Sequence, residues 1–170
     1  GVASPIYQSK VLGEFPEITD DMVFSPKVIR EAQERDRFAE ATQSLGKLGV
    51  DVARFGENHT AIYRARAGRV RLVRTMPMAD TMETADFVHH ILAPHKGRVP
   101  AAIDVIGVGG GVYDRLRQLG VSVIAFISCD RPYDTERFAN RRAEAWWTVR
   151  EMGERGELDL PEPGEDDDLI

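Results

Sequence analysis

The sequence predicts an α/β fold in which an antiparallel three-strand meander joins parallel strands in one mixed sheet, flanked by helices. Three observations predict it. The stretch NHTAIYRARAGRVRLVR holds two alternating runs that meet at Ala67-Gly68, a hairpin signal, directly after the apolar run KLGVDVAR. Two further runs, PAAIDVIGV and VSVIAFIS, are apolar enough to be strands buried on both faces, and a helical pattern separates them. The order is therefore β, β, β, α, β, α, β, α, which alternates only after the meander.

Each element has its own local reason. Residues 1–24 mix proline, glycine and scattered hydrophobics, and read as an irregular strap. Ser25-Pro26 suits an N-cap followed by the first helical position, so a short helix opens there. Residues 47–54 form the first strand, and the hairpin supplies the next two. A helix spans 80–93, with Asp80 and Glu83 in capping-box spacing and Met82, Ala85, Val88 and Leu92 on one face. The triple glycine 109–111 starts a helix carrying Val112, Leu116 and Leu119. Asp134 is the expected cap of a long last helix through RFANRRAEAWWTVREM. A ribonuclease-H-like fold has this order of elements. A doubly wound nucleotide fold would instead begin with βαβ.

The 170 residues suffice for one domain with a proper core. No apolar run approaches the roughly 18 residues of a membrane helix, so no membrane role is expected. The single cysteine, Cys129, excludes an internal disulfide framework, fits a reducing cytoplasm, and reads as a small buried hydrophobe. The net charge of −6 is unevenly spread: residues 151–170 carry nine acids and one arginine. The body is thus mildly basic, with Arg54, Arg64, Arg66, Arg69, Arg71 and Arg74 close together in sequence. That balance allows a nucleic-acid partner without requiring one. On the hairpin, Arg64 and Arg66 share one face, as do Arg69 and Arg71. They form either a solvated outer face or a phosphate-tracking DNA surface beside the first strand.

IDVIGVGGGVYDRL, residues 103–116, admits two chemistries. As a dinucleotide fingerprint it supplies Gly107 and Gly109, but Val112 stands where the third glycine belongs. Asp130, ending the next strand, sits where a ribose-binding acid would be. The competing reading takes Asp104 as the functional residue and the glycines as a close turn. Asp51 in LGVDVA has the same character as Asp104: each is a lone carboxylate in an apolar strand. An ionised group there is costly unless it is paired or bound to metal. Two such acids on neighbouring strands repel unless divalent cations hold them ionised, which is the basis of two-metal phosphodiester hydrolysis. Hard oxygen ligands select Mg²⁺ or Mn²⁺ rather than zinc.

SPIYQSKVLGEFPE, GVDVARFGENHTAIYRARAG, IDVIGVGGGVYDRL, and FANRRAEAWWTVRE followed by GELDLP resemble, in this order, the large terminase subunit of tailed bacteriophages and prophages. The part resembled is the C-terminal ribonuclease-H-like nuclease domain and its approach from an ATPase domain. The resemblance implies a metal-dependent endonuclease that cuts concatemeric viral DNA during packaging. It implies that Asp51 and Asp104 are metal ligands and that the site takes two Mg²⁺ or Mn²⁺ ions. Double-stranded DNA, the terminase small subunit and the portal protein are the implied partners, and the host bacterial cytoplasm the location. Residues 1–45 would then link from an ATPase domain that this sequence does not contain, 46–160 form the nuclease domain, and 161–170 an acidic tail. The family's third metal carboxylate is expected beyond Ile170, which makes this a fragment of weak activity by itself. Asp130, Glu144 and the run Asp166, Asp167 and Asp168 are the substitutes to consider.

Two other readings stay open: a nucleotide-binding enzyme using the glycine loop 107–111, and a catalytically silent docking module. Among the remaining side chains, His89, His90 and His95 lack a second ligand cluster, so structural roles are expected. Trp146 is expected in the core. Glu144 is expected to pair with Arg141 at i, i+3.

Overall fold

A computed structural model describes residues 22–53, 58–77 and 79–162. Five strands form one sheet: β1 (Lys47–Asp51), β2 (His59–Arg66), β3 (Arg69–Pro77), β4 (Ala101–Asp104) and β5 (Val123–Phe126). Their spatial order is β3-β2-β1-β4-β5. β1, β2 and β3 are antiparallel, whereas β4 pairs with β1 and β5 with β4 in parallel. This is the mixed sheet expected of a ribonuclease-H-like fold. The hairpin turn falls at Ala67 and Gly68, both with positive φ, as a tight two-residue connection demands.

The helices are α1 (Pro26–Gln33), α2 (Phe38–Gln43), α3 (Thr81–Leu92), α4 (Gly109–Gln118) and α5 (Arg141–Glu154). Ser25 caps α1, its hydroxyl accepting from Val28 N, and proline occupies the first turn. Asp80 caps α3 in a full capping box with Glu83. Thr84, Ala85, Val88 and Leu92 of α3 and Val112 and Leu116 of α4 turn inward, but Met82 is exposed. They meet Leu48, Val50, Ile62, Ala101 and Ile103 from one face of the sheet in the main core. Each large aliphatic side chain fully withdrawn from water there contributes about 1.5–3 kcal/mol.

Three expectations are corrected. The last helix starts at Arg141 with Asn140 as its cap. Asp134 instead accepts from Glu136 N and Arg137 N in a separate turn upstream. Cys129 is exposed rather than buried. Trp146 is 54% exposed and meets Phe24 edge-on instead of entering the core.

The chain after α5 is firmly placed. Asp159 N donates to Gly68 O, Val70 N donates to Asp159 O, and Leu160 N donates to Ala32 O, which ties this segment to the hairpin and α1. Residues 1–21 of the expected strap (1–24) and 163–170 of the expected tail (161–170), with Asp166, Asp167 and Asp168, lie outside the described residues.

Candidate metal centre

The site follows from the strand register. Val50 of β1 lies beside Ile103 of β4, so Asp51 and Asp104 are the next residues along two adjacent parallel strands. Neighbouring strands run about 4.8 Å apart. Side chains alternate across a sheet, so when Val50 and Ile103 enter the core, Asp51 and Asp104 emerge together on the other face. Both line one open cavity of about 670 Å³, with Gly49, Tyr63, Phe126 and, from α5, Arg142 and Trp146.

Asp51 is exposed and Asp104 half-buried. One oxygen of Asp104 accepts from Ile106 N at 3.1 Å, which orients the carboxylate at the strand end. Arg142 is the cation of the cavity. Its backbone N donates to Ser128 O, and its guanidinium donates to Ser128 Oγ at 2.9 Å, so both ends of the residue are braced on the segment after β5.

The glycines serve this turn. A Cβ on Gly109 would stand 1.9 Å from the carbonyl oxygen of Asp104, so only glycine lets α4 begin this close to the end of β4. Gly107 has a φ of +76°, the left-handed region in which glycine is unstrained. Gly109 thus answers a packing requirement and Gly107 a backbone one.

No group of three or more His, Cys, Asp or Glu suited to a metal occurs among the described residues. Two of the substitutes considered from sequence, Glu144 and Asp130, make other contacts. Glu144 accepts from Tyr133 N and Asp134 N, both at 2.9 Å, and pairs with Arg141 as expected. An Asp130 oxygen accepts from Arg131 N. Arg142, seated on the same cavity, escaped sequence reasoning because only the docking of α5 brings it there.

The hairpin arginines require a correction of place. Arg64 lies opposite Arg71, and Arg66 opposite Arg69, so all four share one sheet face. Arg64 also lies opposite Leu48, a core residue, so that face is the one away from Asp51 and Asp104. Arg64 and Arg71 are buried, and Asp159 accepts from both Arg69 and Arg71. The four arginines thus lie on the side of the sheet opposite the carboxylates, with Arg69 and Arg71 engaged by Asp159.

Solved structures with the same architecture decide the fold. The large terminase nuclease from thermophilic phage G20c, with bound magnesium, superposes with a TM-score of 0.61 over 85% of this chain and 76% of its own, at 14% identity. This is the fold of a phage terminase nuclease. A second such nuclease domain, from the large terminase subunit of bacterial virus Sf6 and determined with manganese, gives a TM-score of 0.57 at 16% identity. It spans 82% of this chain and 73% of that one. The G20c terminase nuclease has also been solved with zinc and with cobalt. No protein-family model matches the sequence, and no curated protein does. The terminase-nuclease fold is thus shared while most of the residues that clothe it differ. Among the described residues, no helix is long and apolar enough to cross a membrane.

Proposed function

We propose that this chain is the nuclease domain of a phage-type terminase large subunit, a divalent-metal-dependent endonuclease acting on double-stranded DNA. The observation that carries this reading is the side-by-side emergence of Asp51 and Asp104 into one open cavity. The donors fit Mg²⁺ or Mn²⁺: they are hard carboxylate oxygens, adjacent, and open to a large ligand. A divalent cation held there supplies Lewis-acid stabilisation of the scissile phosphate and a more acidic water.

The chain's own residues do the rest. Asp51 and Asp104 hold the cation, and the Ile106 N–H fixes the Asp104 carboxylate for that task. Arg142, braced by Ser128, offers its remaining guanidinium donors to a phosphodiester oxygen. The exposed indole of Trp146 borders the space the DNA enters. Two-metal hydrolysis of concatemeric DNA during packaging is the full reaction we assign. The small subunit and portal protein are its partners, in the cytoplasm of the host bacterium. The second ion needs a further carboxylate.

The test is nicking of supercoiled plasmid by the chain with Mn²⁺ or Mg²⁺, with chelator as control, beside calorimetric titration of each metal. Saturable metal binding and cleavage, both lost in Asp51→Asn and Asp104→Asn, support the reading. Cleavage that persists in both variants, or no metal binding at all, sinks it.

A further inference from the structure

The four hairpin arginines line a second cavity, on the opposite side of the sheet from the carboxylate pair. Arg64, Arg66, Arg69 and Arg71 share it with Phe38, Ala41 and Thr42 of α2. Among the described residues, Asp159 and Asp36 serve Arg69 and Arg71 of this cluster. Asp159, fully buried, accepts from Arg71 at 2.6 Å and from Arg69 at 3.1 Å, and Asp36 accepts from Arg69 at 3.1 Å. Asp159 is further occupied by Arg37 N, at 2.9 Å. Arg69 also stacks on Phe38.

Arg64 and Arg66 therefore remain without a carboxylate among the described residues. Arg64 is 8% exposed, and one terminal nitrogen reaches Leu45 O at 3.4 Å and His95 Nε2 at 3.2 Å. The Nε groups of both Arg64 and Arg66 are buried with no hydrogen-bond partner. An unpaired buried donor on a charged group is among the costlier defects a fold can carry. The crowding is also registered electrostatically: burial first, and then the charge of Arg66, hold the Arg64 guanidinium below its ordinary value.

We propose that this cavity is a binding site for a phosphoryl group. Guanidinium groups match tetrahedral oxyanions with paired N–H donors, and two uncompensated cations suit a dianion better than a monoanion. The cavity is about 80 Å³, far below the roughly 300 Å³ at which pockets for drug-sized ligands begin, so only the phosphoryl head of a ligand enters. Of the residues that line it, Thr42 and Phe38 are exposed. The phosphoryl group comes either from a small phosphorylated ligand or from a nucleic-acid backbone. The cavity shares no lining residue with the one that holds Asp51 and Asp104.

Calorimetric titration of the full chain with inorganic phosphate, at constant ionic strength and against chloride and acetate, tests the site. Saturable phosphate binding is expected, with a rise in Tm. Arg66→Gln should weaken it at least about tenfold, the loss of one or two charge-assisted bonds. Arg74→Gln, whose side chain stacks on Phe87 outside the cavity, should leave it unchanged. Thr42→Glu places a tethered carboxylate at the cavity and should abolish phosphate binding while raising the Tm of the phosphate-free protein. Displacement of phosphate by a nucleoside triphosphate identifies a small-ligand source, and displacement by duplex DNA a backbone source. Either supports the site if it is lost in Arg66→Gln. Phosphate binding no tighter than acetate, or equal in wild type and a folded Arg66→Gln, overturns it.

Discussion

Gly109 and Asp104 are locked together by backbone. The hydrogen of Gly109 points at the Asp104 carbonyl, where a methyl group would lie 1.9 Å from the oxygen. The first turn of α4 therefore sets the position of the last residue of β4. Gly109→Ala is expected to push the two apart, at a cost of about 1–3 kcal/mol from overpacking. Urea unfolding measures this, and metal titration should show weaker binding as the Asp104 carboxylate leaves its register with Asp51. Unchanged stability would mean that the strand end yields freely.

Asp51→Asn and Asp104→Asn separate chemistry from folding. An asparagine oxygen at 104 can still accept from Ile106 N, so the turn survives. Each variant loses a carboxylate from a pair of neighbouring like charges. Tm in the absence of metal is expected to hold or rise, while metal-dependent DNA cleavage falls by at least about a hundredfold. A large fall in Tm would show instead that the carboxylates serve the fold.

Asp159 is the chief electrostatic support of the hairpin end. It is fully buried and receives two arginine side chains and a backbone N–H. Asp159→Ala removes a buried carboxylate that both Arg69 and Arg71 engage, and breaking such a buried pair costs about 3–5 kcal/mol. Thermal unfolding should show the loss. Because the segment around Asp159 lies on the far side of the sheet, a variant refolded at low temperature should keep metal affinity at the Asp51–Asp104 pair.

How far the sequence reaches is clear from particular residues. The meander, the capping box at Asp80 and the turn at Ala67-Gly68 are local signals, and all are found. The adjacency of Asp51 and Asp104 is legible because an acid between apolar neighbours is conspicuous wherever the strand goes. Arg64 and Arg71 were misplaced because alternation tells that residues share a face, not which face it is. The decision lay with Asp159, nearly ninety positions from Arg71, whose segment returns to cover that face. Trp146 and Arg142 failed for a related reason: α5 stands over an open cavity rather than a packed layer, and the amphipathic pattern cannot distinguish the two.

His95 gives this side of the sheet a pH dependence. Burial, then the charges of Arg64, Arg66 and Arg98, hold its pKa below the ordinary 6.5. The neutral ring can thus accept from Arg64 through Nε2. Unfolding restores the ordinary value, so the unfolded chain binds more protons than the native one below about pH 6.5. Stability rises with pH through that range, and this contribution is present in full above it. As the pH falls from 6.5 toward the lowered native value, it is progressively lost. His95→Gln keeps an acceptor for Arg64 without a titrating group. Urea midpoints measured from pH 7.5 to 5 should fall more steeply for the wild type than for this variant, before carboxylate protonation dominates both. Parallel curves would show that His95 titrates alike in the folded and unfolded chains.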